Sequence, residues 1–315
     1  MSPRPLIVRL RNWVGDVILG VPALQLLQAH GFELHLVGKR WSGALLAGHA
    51  WPTHTRPAGL LDRVAQLRAL RMQALRQEPA FDGRLNGFAL PTSFSAALEF
   101  RLAGLKAIGY AQEARGPLLH RAEPITYGGH ALTSYWELAC RVLGIQQSPP
   151  REIALLTSPA DQSRADELLQ LHAIRPGFVV ICPFAGGLFE KQQKTWPDFP
   201  AFTRRLLALG CDVVACPGPG EETIVLDHHP GVKLLAQVDL GAYGGVLRRA
   251  ALMVSNDTGP GHLAAAVGTQ VLSVLGPTKP EQWAPWGAGV EVIRRWPAWP
   301  DIDDVLTRVD SRLRG

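Results

Sequence analysis

Apolar runs and helical stretches alternate along both halves of the chain. Short runs rich in branched apolar residues, which are typical of buried strands, lie at 6–10, 34–37, 178–182, 212–216, 251–254 and 271–275. Stretches with a helical spacing of apolar residues lie at 17–29, 199–209, 241–249 and 260–267. Strands that alternate with helices favour parallel sheets covered by helices. The pattern therefore predicts an α/β fold.

A polar, proline-rich break at 146–150 divides this pattern into two halves. The break follows a helical run that ends near Leu143, and 315 residues exceed what one typical core accommodates. We predict two Rossmann-like domains, 1–150 and 151–315, each built on a parallel sheet. If the two sheets face each other across a cleft, their carboxyl ends line it, and ligands of such folds bind there.

Composition predicts a globular protein of a reducing compartment. The chain is 47% hydrophobic and 19% charged, and none of its apolar runs is long enough to span a membrane. The apolar run 6–8 is too short for a secretion signal, and Arg9 and Arg11 follow it closely. The four cysteines stand singly, without the paired spacing of a metal site. We therefore expect a cytoplasmic location.

Charge is divided unevenly between the halves. Residues 1–150 carry a net charge of +7, whereas residues 151–315 carry −2. A basic first half indicates an anionic partner there, such as a phosphorylated glycan or a membrane surface, although a merely solvated basic face would look the same. The arginine-rich stretch 63–76 has the same two interpretations. The chain lacks the motifs of nucleic-acid binders, so no nucleic-acid partner is expected.

The segment 254–266 carries the most information about function. Asn256, Asp257, Thr258 and Gly259 follow an apolar run and precede an alanine-rich helical stretch. Such a turn leaves backbone N–H groups unpaired at a helix start, where the helix dipole favours a phosphate or diphosphate. An ordinary capped helix would have the same pattern. The embedded His262 favours a ligand site, because capping does not require an imidazole.

Two further candidates also follow strands. Gly15 and Asp16 come after the first strand, where Asp16 is either the N-cap of the next helix or a general base. Gly186 belongs to a glycine-rich loop that precedes Lys194, which suits a diphosphate but lacks the spacing of a Walker P-loop. Lys194 taken alone could equally be a solvated loop lysine.

A fourth candidate lies after the strand at 212–216. Glu221 or Glu222 could accept hydrogen bonds from ribose hydroxyls, or both could be solvated acids of a turn. Neither half carries the G-x-G-x-x-G fingerprint between a strand and a helix, so a dinucleotide-dependent oxidoreductase is excluded.

Together these motifs resemble glycosyltransferase family 9, the heptosyltransferases that build the inner core of lipopolysaccharide. The matching segments are Gly15-Asp16, Lys194-Thr195-Trp196-Pro197, Asn256-Asp257-Thr258-Gly259 with His262, and Gly276-Pro277-Thr278. In the first half, 90–98, 101–104, 108–110 and Arg115 also match. The segment Leu90-Pro91-Thr92-Ser93-Phe94 is most similar to heptosyltransferase II, which adds the second heptose.

The resemblance implies a GT-B fold whose first domain binds the acceptor and whose second binds the nucleotide-sugar. The donor would be ADP-L-glycero-β-D-manno-heptose and the acceptor the phosphorylated lipid A–Kdo core, with inversion at the transferred sugar. It implies no cofactor. No metal is expected either, because we interpret the Asp301-Ile302-Asp303 triplet as the solvated start of a last helix. A peripheral position on the cytoplasmic face of the inner membrane is compatible with such an acceptor.

The resemblance also implies roles for individual residues. Asp16 would deprotonate the acceptor hydroxyl, and Lys194 would neutralise the departing diphosphate. The other donor-binding residues would be Gly186, Glu221 or Glu222, Asp257, Thr258, Gly259 and His262. The expected acceptor-binding residues are Asn12, Ser93, Arg101 and Arg115. Two alternatives stay open: a family member with another nucleotide-sugar or acceptor, and a protein that only binds a nucleotide-sugar.

Overall fold

The computed structural model describes residues 4–314. Residues 1–3 of the first predicted domain and residue 315 of the second lie outside the described part. The described chain divides into two compact units. The first unit comprises residues 4–46 and 50–150, and the second comprises 47–49 and 151–314.

The first unit contains the following elements. Its strands are β1 (Arg4–Arg9), β2 (Phe32–Gly38), β3 (Thr53–Thr55), β4 (Gly87–Ala89), β5 (Ala107–Tyr110) and β6 (Arg121–Glu123). Its α-helices are α1 (Val14–Ala29), α2 (Ser42–Leu45), α3 (Leu60–Gln77), α4 (Phe94–Ala103) and α5 (Ala131–Leu143). Short 3-10 turns lie at Phe81–Gly83 and Gly116–Leu118.

The second unit contains the remaining elements. Its strands are β7 (Val179–Cys182), β8 (Leu188–Phe189), β9 (Gln192–Gln193), β10 (Val213–Ala215), β11 (Lys233–Leu234), β12 (Leu252–Ser255), β13 (Val271–Leu275) and β14 (Val290–Arg294). Its α-helices are α6 (Pro159–Leu171), α7 (Phe199–Leu207), α8 (Glu222–His228), α9 (Leu240–Leu247), α10 (Gly259–Ala266), α11 (Pro280–Trp283) and α12 (Ile302–Arg314). A 3-10 turn at Ala47–His49 groups with this unit.

Each unit is built on one six-stranded parallel sheet. The strand order is β3-β2-β1-β4-β5-β6 in the first unit and β11-β10-β7-β12-β13-β14 in the second. The central strands are buried along almost their whole length, because helices cover both faces of a doubly wound sheet. The predicted α/β fold with parallel sheets is therefore confirmed.

The two strand orders are equivalent once the small β8–β9 hairpin is set aside. In each sheet the direction of winding reverses between the first and the fourth strand, which are β1 and β4 in one unit and β7 and β12 in the other. Doubly wound sheets bind ligands outside the carboxyl ends of the strands at this reversal. The segments after these four strands are therefore where a ligand is expected in each unit.

Most element boundaries agree with the prediction to within one or two residues. Two differences bear on the candidate site. Helix α1 begins at Val14 rather than near Val17, and the chain after Gly187 forms the β8–β9 hairpin, which was not predicted. The turn of this hairpin places Glu190 and Lys191 at positive φ, the backbone conformation that matches the twist of a two-residue hairpin.

The arginine-rich stretch 63–76 lies in α3 and is largely engaged within its own unit. Arg63 binds the carboxylate of Glu99, and Arg71 binds Asp82. Arg68 donates to the carbonyl oxygen of Leu102. These contacts favour a packed helix over a lipid-binding one. Throughout residues 4–314, each helix is too short or too polar to cross a membrane.

Candidate functional site

Asn256 joins the loops that follow β7 and β12. Its side chain is fully buried, its Oδ1 accepts a hydrogen bond from the backbone N–H of Trp196 at 3.0 Å, and its Nδ2 donates to the carbonyl oxygen of Pro183 at 2.7 Å. An amide carries its acceptor and its donor on two separate atoms, so one side chain bridges the two backbone groups, whereas a carboxylate would only accept. Asn256 therefore fixes the loop that carries Lys194 against two strand ends.

Trp196 anchors the same loop in the hydrophobic core. Its indole is fully buried and packs against Phe199 and Phe202, with ring centroids 5.7 and 5.5 Å away. Lys194, two residues earlier, remains partly exposed at the edge of the sheet. In the Lys-Thr-Trp-Pro motif, the buried Trp196 thus fixes the loop, and the loop fixes the position of the Lys194 ammonium group.

Lys194 forms a compact polar cluster with Asp257 and Thr278. Its Nζ lies 3.0 Å from Oδ2 of Asp257, and Thr278 donates its hydroxyl to the same oxygen at 2.8 Å. The side chains of Lys194 and Asp257 are only 15% and 13% exposed, so solvent screens their interaction weakly. Thr278 belongs to a motif that supports the family resemblance, but the sequence did not identify it as a site residue.

The first turn of α10 continues this cluster. Thr258 is the N-cap residue with an extended backbone, and its side chain makes no capping hydrogen bond within the described chain. Gly259 begins the helix, and the buried His262 lies in its first turn. The N–H groups at a helix start and the helix dipole favour an anion. Cation and helix start lie at the winding reversal of the second sheet.

Close packing holds this turn against β12. An added Cβ at Gly261 would lie 2.6 Å from the Oγ of Ser255, which is itself fully buried. A distance this short is not tolerated between non-bonded atoms, so only glycine lets the helix start approach the strand so closely.

Gly261→Ala is therefore expected to displace the start of α10. We expect the free energy of unfolding to fall by about 1–3 kcal/mol, as for other overpacked sites, and the predicted binding of ADP to weaken. Urea unfolding and isothermal titration with ADP measure the two effects. The double variant Gly261→Ala with Ser255→Ala removes the clashing oxygen and should recover most of both losses. Equal defects in the single and double variants would contradict this explanation.

The other predicted donor-binding residues occupy turns of the second unit. Gly186 is exposed in the loop that leads to the β8–β9 hairpin. Glu221 accepts a hydrogen bond from the N–H of Gly218 at 2.8 Å, and Glu222 accepts one from Gly220 at 2.9 Å. Both acids thus close a turn after β10. A contact with ribose remains a prediction for each.

A cysteine at the end of β7 does not supply a nucleophile. Cys182 is paired in register with Ser255 and is almost fully buried. Burial raises the pKa of its thiol to about 12, so the thiol stays protonated at neutral pH. Covalent catalysis by this residue is not expected.

Asp16 lies at the corresponding reversal of the first sheet. It is the third residue of α1, whose N-cap is Trp13, so the N-cap interpretation of Asp16 is wrong. Its carboxylate is 9% exposed; Oδ1 accepts a hydrogen bond from the hydroxyl of Tyr135 at 2.9 Å, and Oδ2 lies 3.5 Å from Nε of Arg11. The sequence did not reveal Tyr135, which is 119 residues away along the chain.

A cluster of arginines surrounds one buried glutamate near the end of β1. Glu99 lies 2.7 Å from Arg56, 3.1 Å from Arg63 and 3.8 Å from Arg9. Burial, together with the neighbouring Arg56, lowers the pKa of Arg9 to about 10, which leaves it charged at neutral pH. Three cations face one carboxylate, so the cluster keeps a positive charge. The sequence did not identify it.

The four predicted acceptor-binding residues are placed differently from one another. Asn12 is exposed and accepts a hydrogen bond from Arg9. Ser93 is the half-buried N-cap of α4, and its hydroxyl lies 3.3 Å from that of Ser95. Arg101 is exposed in the last turn of α4.

Arg115 is fully buried, which does not fit direct contact with an acceptor. Its guanidinium donates to the carbonyl oxygens of Tyr110, Pro91 and Ser93. These bonds hold the loop after β4 beside the loop after β5. Arg115 thus shapes the segment that carries Ser93, and its contact with an acceptor stays a prediction that this burial does not favour.

The family model of glycosyltransferase family 9 (heptosyltransferase) matches residues 72–306, which is most of the chain. The chain belongs to glycosyltransferase family 9. A curated relative, lipopolysaccharide heptosyltransferase 3 of Escherichia coli, is 30% identical over 166 residues, which are 50% of this chain and 46% of that protein. The chain thus spans about half the length of the curated relatives that it matches. The expectation of a family 9 member is confirmed.

Solved structures of two heptosyltransferases share the fold. The E. coli ADP-heptose lipopolysaccharide heptosyltransferase II matches with a TM-score of 0.78 at 20% identity, over 98% of both chains. The E. coli heptosyltransferase WaaC with ADP matches with a TM-score of 0.71 at 20% identity, over 98% of this chain and 99% of that one. At this identity the likeness supports the GT-B fold of the family.

The described residues also bear on metal binding. Within residues 4–314, His, Cys, Asp and Glu side chains do not gather in groups of three or more that could hold a metal ion. Asp301 precedes α12, and Asp303 in its first turn pairs with Arg205. The Asp-x-Asp triplet is thus part of an exposed helix start, as predicted.

Proposed function

We propose that this family 9 member transfers a heptose from ADP-L-glycero-β-D-manno-heptose to the phosphorylated lipid A–Kdo inner core, with inversion and without a metal. The observation that carries the proposal is the Lys194–Asp257–Thr278 cluster beside the start of α10. A cation and a helix start at one sheet reversal suit a diphosphate. ADP-heptose and ADP appear in the names of two structural neighbours.

Lys194 and the helix start would act on the leaving group. When the bond from the anomeric carbon to the diphosphate breaks, negative charge develops on ADP. Lys194, the hydroxyl of Thr258, the N–H of Gly259 and His262 would stabilise that charge without reorganisation. Asp257 would not face the diphosphate directly, because like charges repel; it would hold Lys194 and Thr278 in place instead.

Asp16 would act on the acceptor. As the acceptor hydroxyl attacks the anomeric carbon opposite the departing ADP, its proton would pass to the carboxylate of Asp16. One displacement forms the new glycosidic bond while the bond to ADP breaks, which inverts the anomeric configuration. A partly buried carboxylate with a defined orientation suits this role.

The positive cluster around Glu99 suits an anionic acceptor. Arg56 and Arg63 are partly exposed beside it, so a phosphate or carboxylate of the acceptor could reach their guanidinium groups. Asn12, Ser93 and Arg101 stay predicted contacts. Arg115 would support Ser93 indirectly. The cytoplasmic location, peripheral on the inner membrane, is likewise a prediction.

The test is ADP release from ADP-heptose with two acceptors offered separately. Turnover only with mono-heptosylated lipid A–Kdo supports the second-heptose reaction, and turnover with the heptose-free acceptor assigns the first. A donor screen covers the alternative of another nucleotide-sugar, which the donor-binding residues alone would not exclude. A folded protein that binds ADP-heptose but releases no ADP with either acceptor would contradict the acceptor assignment and favour a binding protein.

A further inference from the structure

Tyr135 contacts the proposed base Asp16 but has no role in the mechanism described above. It lies on the buried side of α5, which packs along α1, and its side chain is 6% exposed. A phenol hydroxyl taken out of water needs a partner, because an unpaired buried donor destabilises the fold. Its partner is Oδ1 of Asp16, at 2.9 Å.

The two oxygens of Asp16 have different surroundings. Oδ1 is occupied by the Tyr135 hydroxyl, whereas Oδ2 lies 3.5 Å from Nε of Arg11, beyond a good hydrogen bond. Burial, together with the charge of Asp16, raises the pKa of Tyr135, so the phenol remains a donor at any assay pH. Oδ2 is therefore the oxygen left to take up a proton.

We propose that Tyr135 is a positioning residue that fixes the side-chain rotamer of Asp16 and leaves Oδ2 to receive the acceptor's proton. This inference rests on the proposed function of Asp16. Tyr135 therefore keeps the base oriented through one hydrogen bond to Oδ1.

Three other titratable groups lie near Tyr135 and Asp16. Arg11 faces Asp16 from the loop before α1, and Glu113, after β5, faces Arg11. Tyr110 of β5 is the other titratable group near Tyr135. None of these groups is changed by Tyr135→Phe, so the variant isolates the loss of one hydrogen bond.

The structure offers a matched control in Tyr110. This tyrosine is also buried, and its hydroxyl donates to the carbonyl oxygen of Ser134, the residue that precedes Tyr135 in α5. Tyr110→Phe removes a comparable buried hydrogen bond to the same helix without touching Asp16. It reports what a purely structural loss does.

The experiment compares kcat and KM of ADP release for the wild type, Tyr135→Phe, Tyr110→Phe and Asp16→Asn. We expect Tyr135→Phe to lower kcat about tenfold, since a misoriented base loses part of its contribution. KM for ADP-heptose should stay unchanged, because the donor contacts proposed above belong to the second unit. Tyr110→Phe should keep kcat near the wild-type value. A kcat of Tyr135→Phe equal to that of Tyr110→Phe would overturn the inference.

A crystal structure of Tyr135→Phe gives a readout that does not require activity. We expect the Asp16 carboxylate in another rotamer or in several. A carboxylate that keeps its original rotamer would overturn the inference. Failure of the proposed function has a different signature: a wild type without turnover, or an Asp16→Asn variant as fast as the wild type. In that case the crystal structure still decides whether Tyr135 positions Asp16.

Discussion

Lys194→Ala is expected to lower kcat for ADP release about 10²- to 10³-fold. Losing one preorganised donor to a developing negative charge has an effect of this size in other enzymes. The loss should be large here because Lys194 is only 15% exposed, so water replaces its charge poorly. Steady-state rates at saturating donor and acceptor measure the effect.

The variant also leaves Asp257 without its cation. An uncompensated carboxylate beside the diphosphate would repel it, so KM for the donor should rise as well. Adding Asp257→Asn to Lys194→Ala removes this repulsion and should recover donor KM but not kcat. Lys191→Asn, at the exposed hairpin turn where asparagine tolerates the positive φ, is the charge-matched control. Equal losses in Lys191→Asn and Lys194→Ala would argue against a specific role for Lys194.

Asp16→Asn is expected to lower kcat about 10²- to 10⁴-fold, the usual contribution of a general base. Asparagine has the same shape, and its oxygen still accepts the hydrogen bond from Tyr135, but the amide does not take up a proton. ADP affinity should stay at the wild-type value, because the diphosphate contacts proposed above belong to the second unit. Single-turnover rates and ADP titration separate the two quantities.

Asp62→Asn provides the control for this variant. Asp62 is an exposed acid in the first turn of α3, as Asp16 is a largely buried one in the first turn of α1. We expect its rate to match the wild type. Substantial activity in Asp16→Asn, with a normal unfolding curve, would assign the base to another group.

The elements of the fold were largely predictable because their signals are local. A buried parallel strand requires a run of branched apolar residues, as in β1 and β13, and such a run is read directly from neighbouring positions. The β8–β9 hairpin was missed because Glu190 and Lys191 adopt positive φ without glycine or asparagine, the residues that normally signal such a turn.

The candidate site was also predictable only in its local features. The sequence neighbours of Asp16, Lys194 and Asp257 showed that each of them follows a strand. The sequence did not show which groups these side chains contact. The hydrogen bonds from Tyr135 to Asp16 and from Thr278 to Asp257 join separate elements of the fold. The sequence likewise did not show that Arg115, which was predicted to bind the acceptor, is fully buried.

By itself the sequence determined the α/β alternation, the family and the strand ends where polar residues collect, because periodicity, turn residues and motifs are properties of adjacent positions. Only the tertiary structure decided that Lys194 is paired with Asp257, that Tyr135 occupies one oxygen of Asp16, and that three arginines converge on Glu99. The physical reason is that a buried polar group is satisfied by whatever donor the packing of distant elements brings to it.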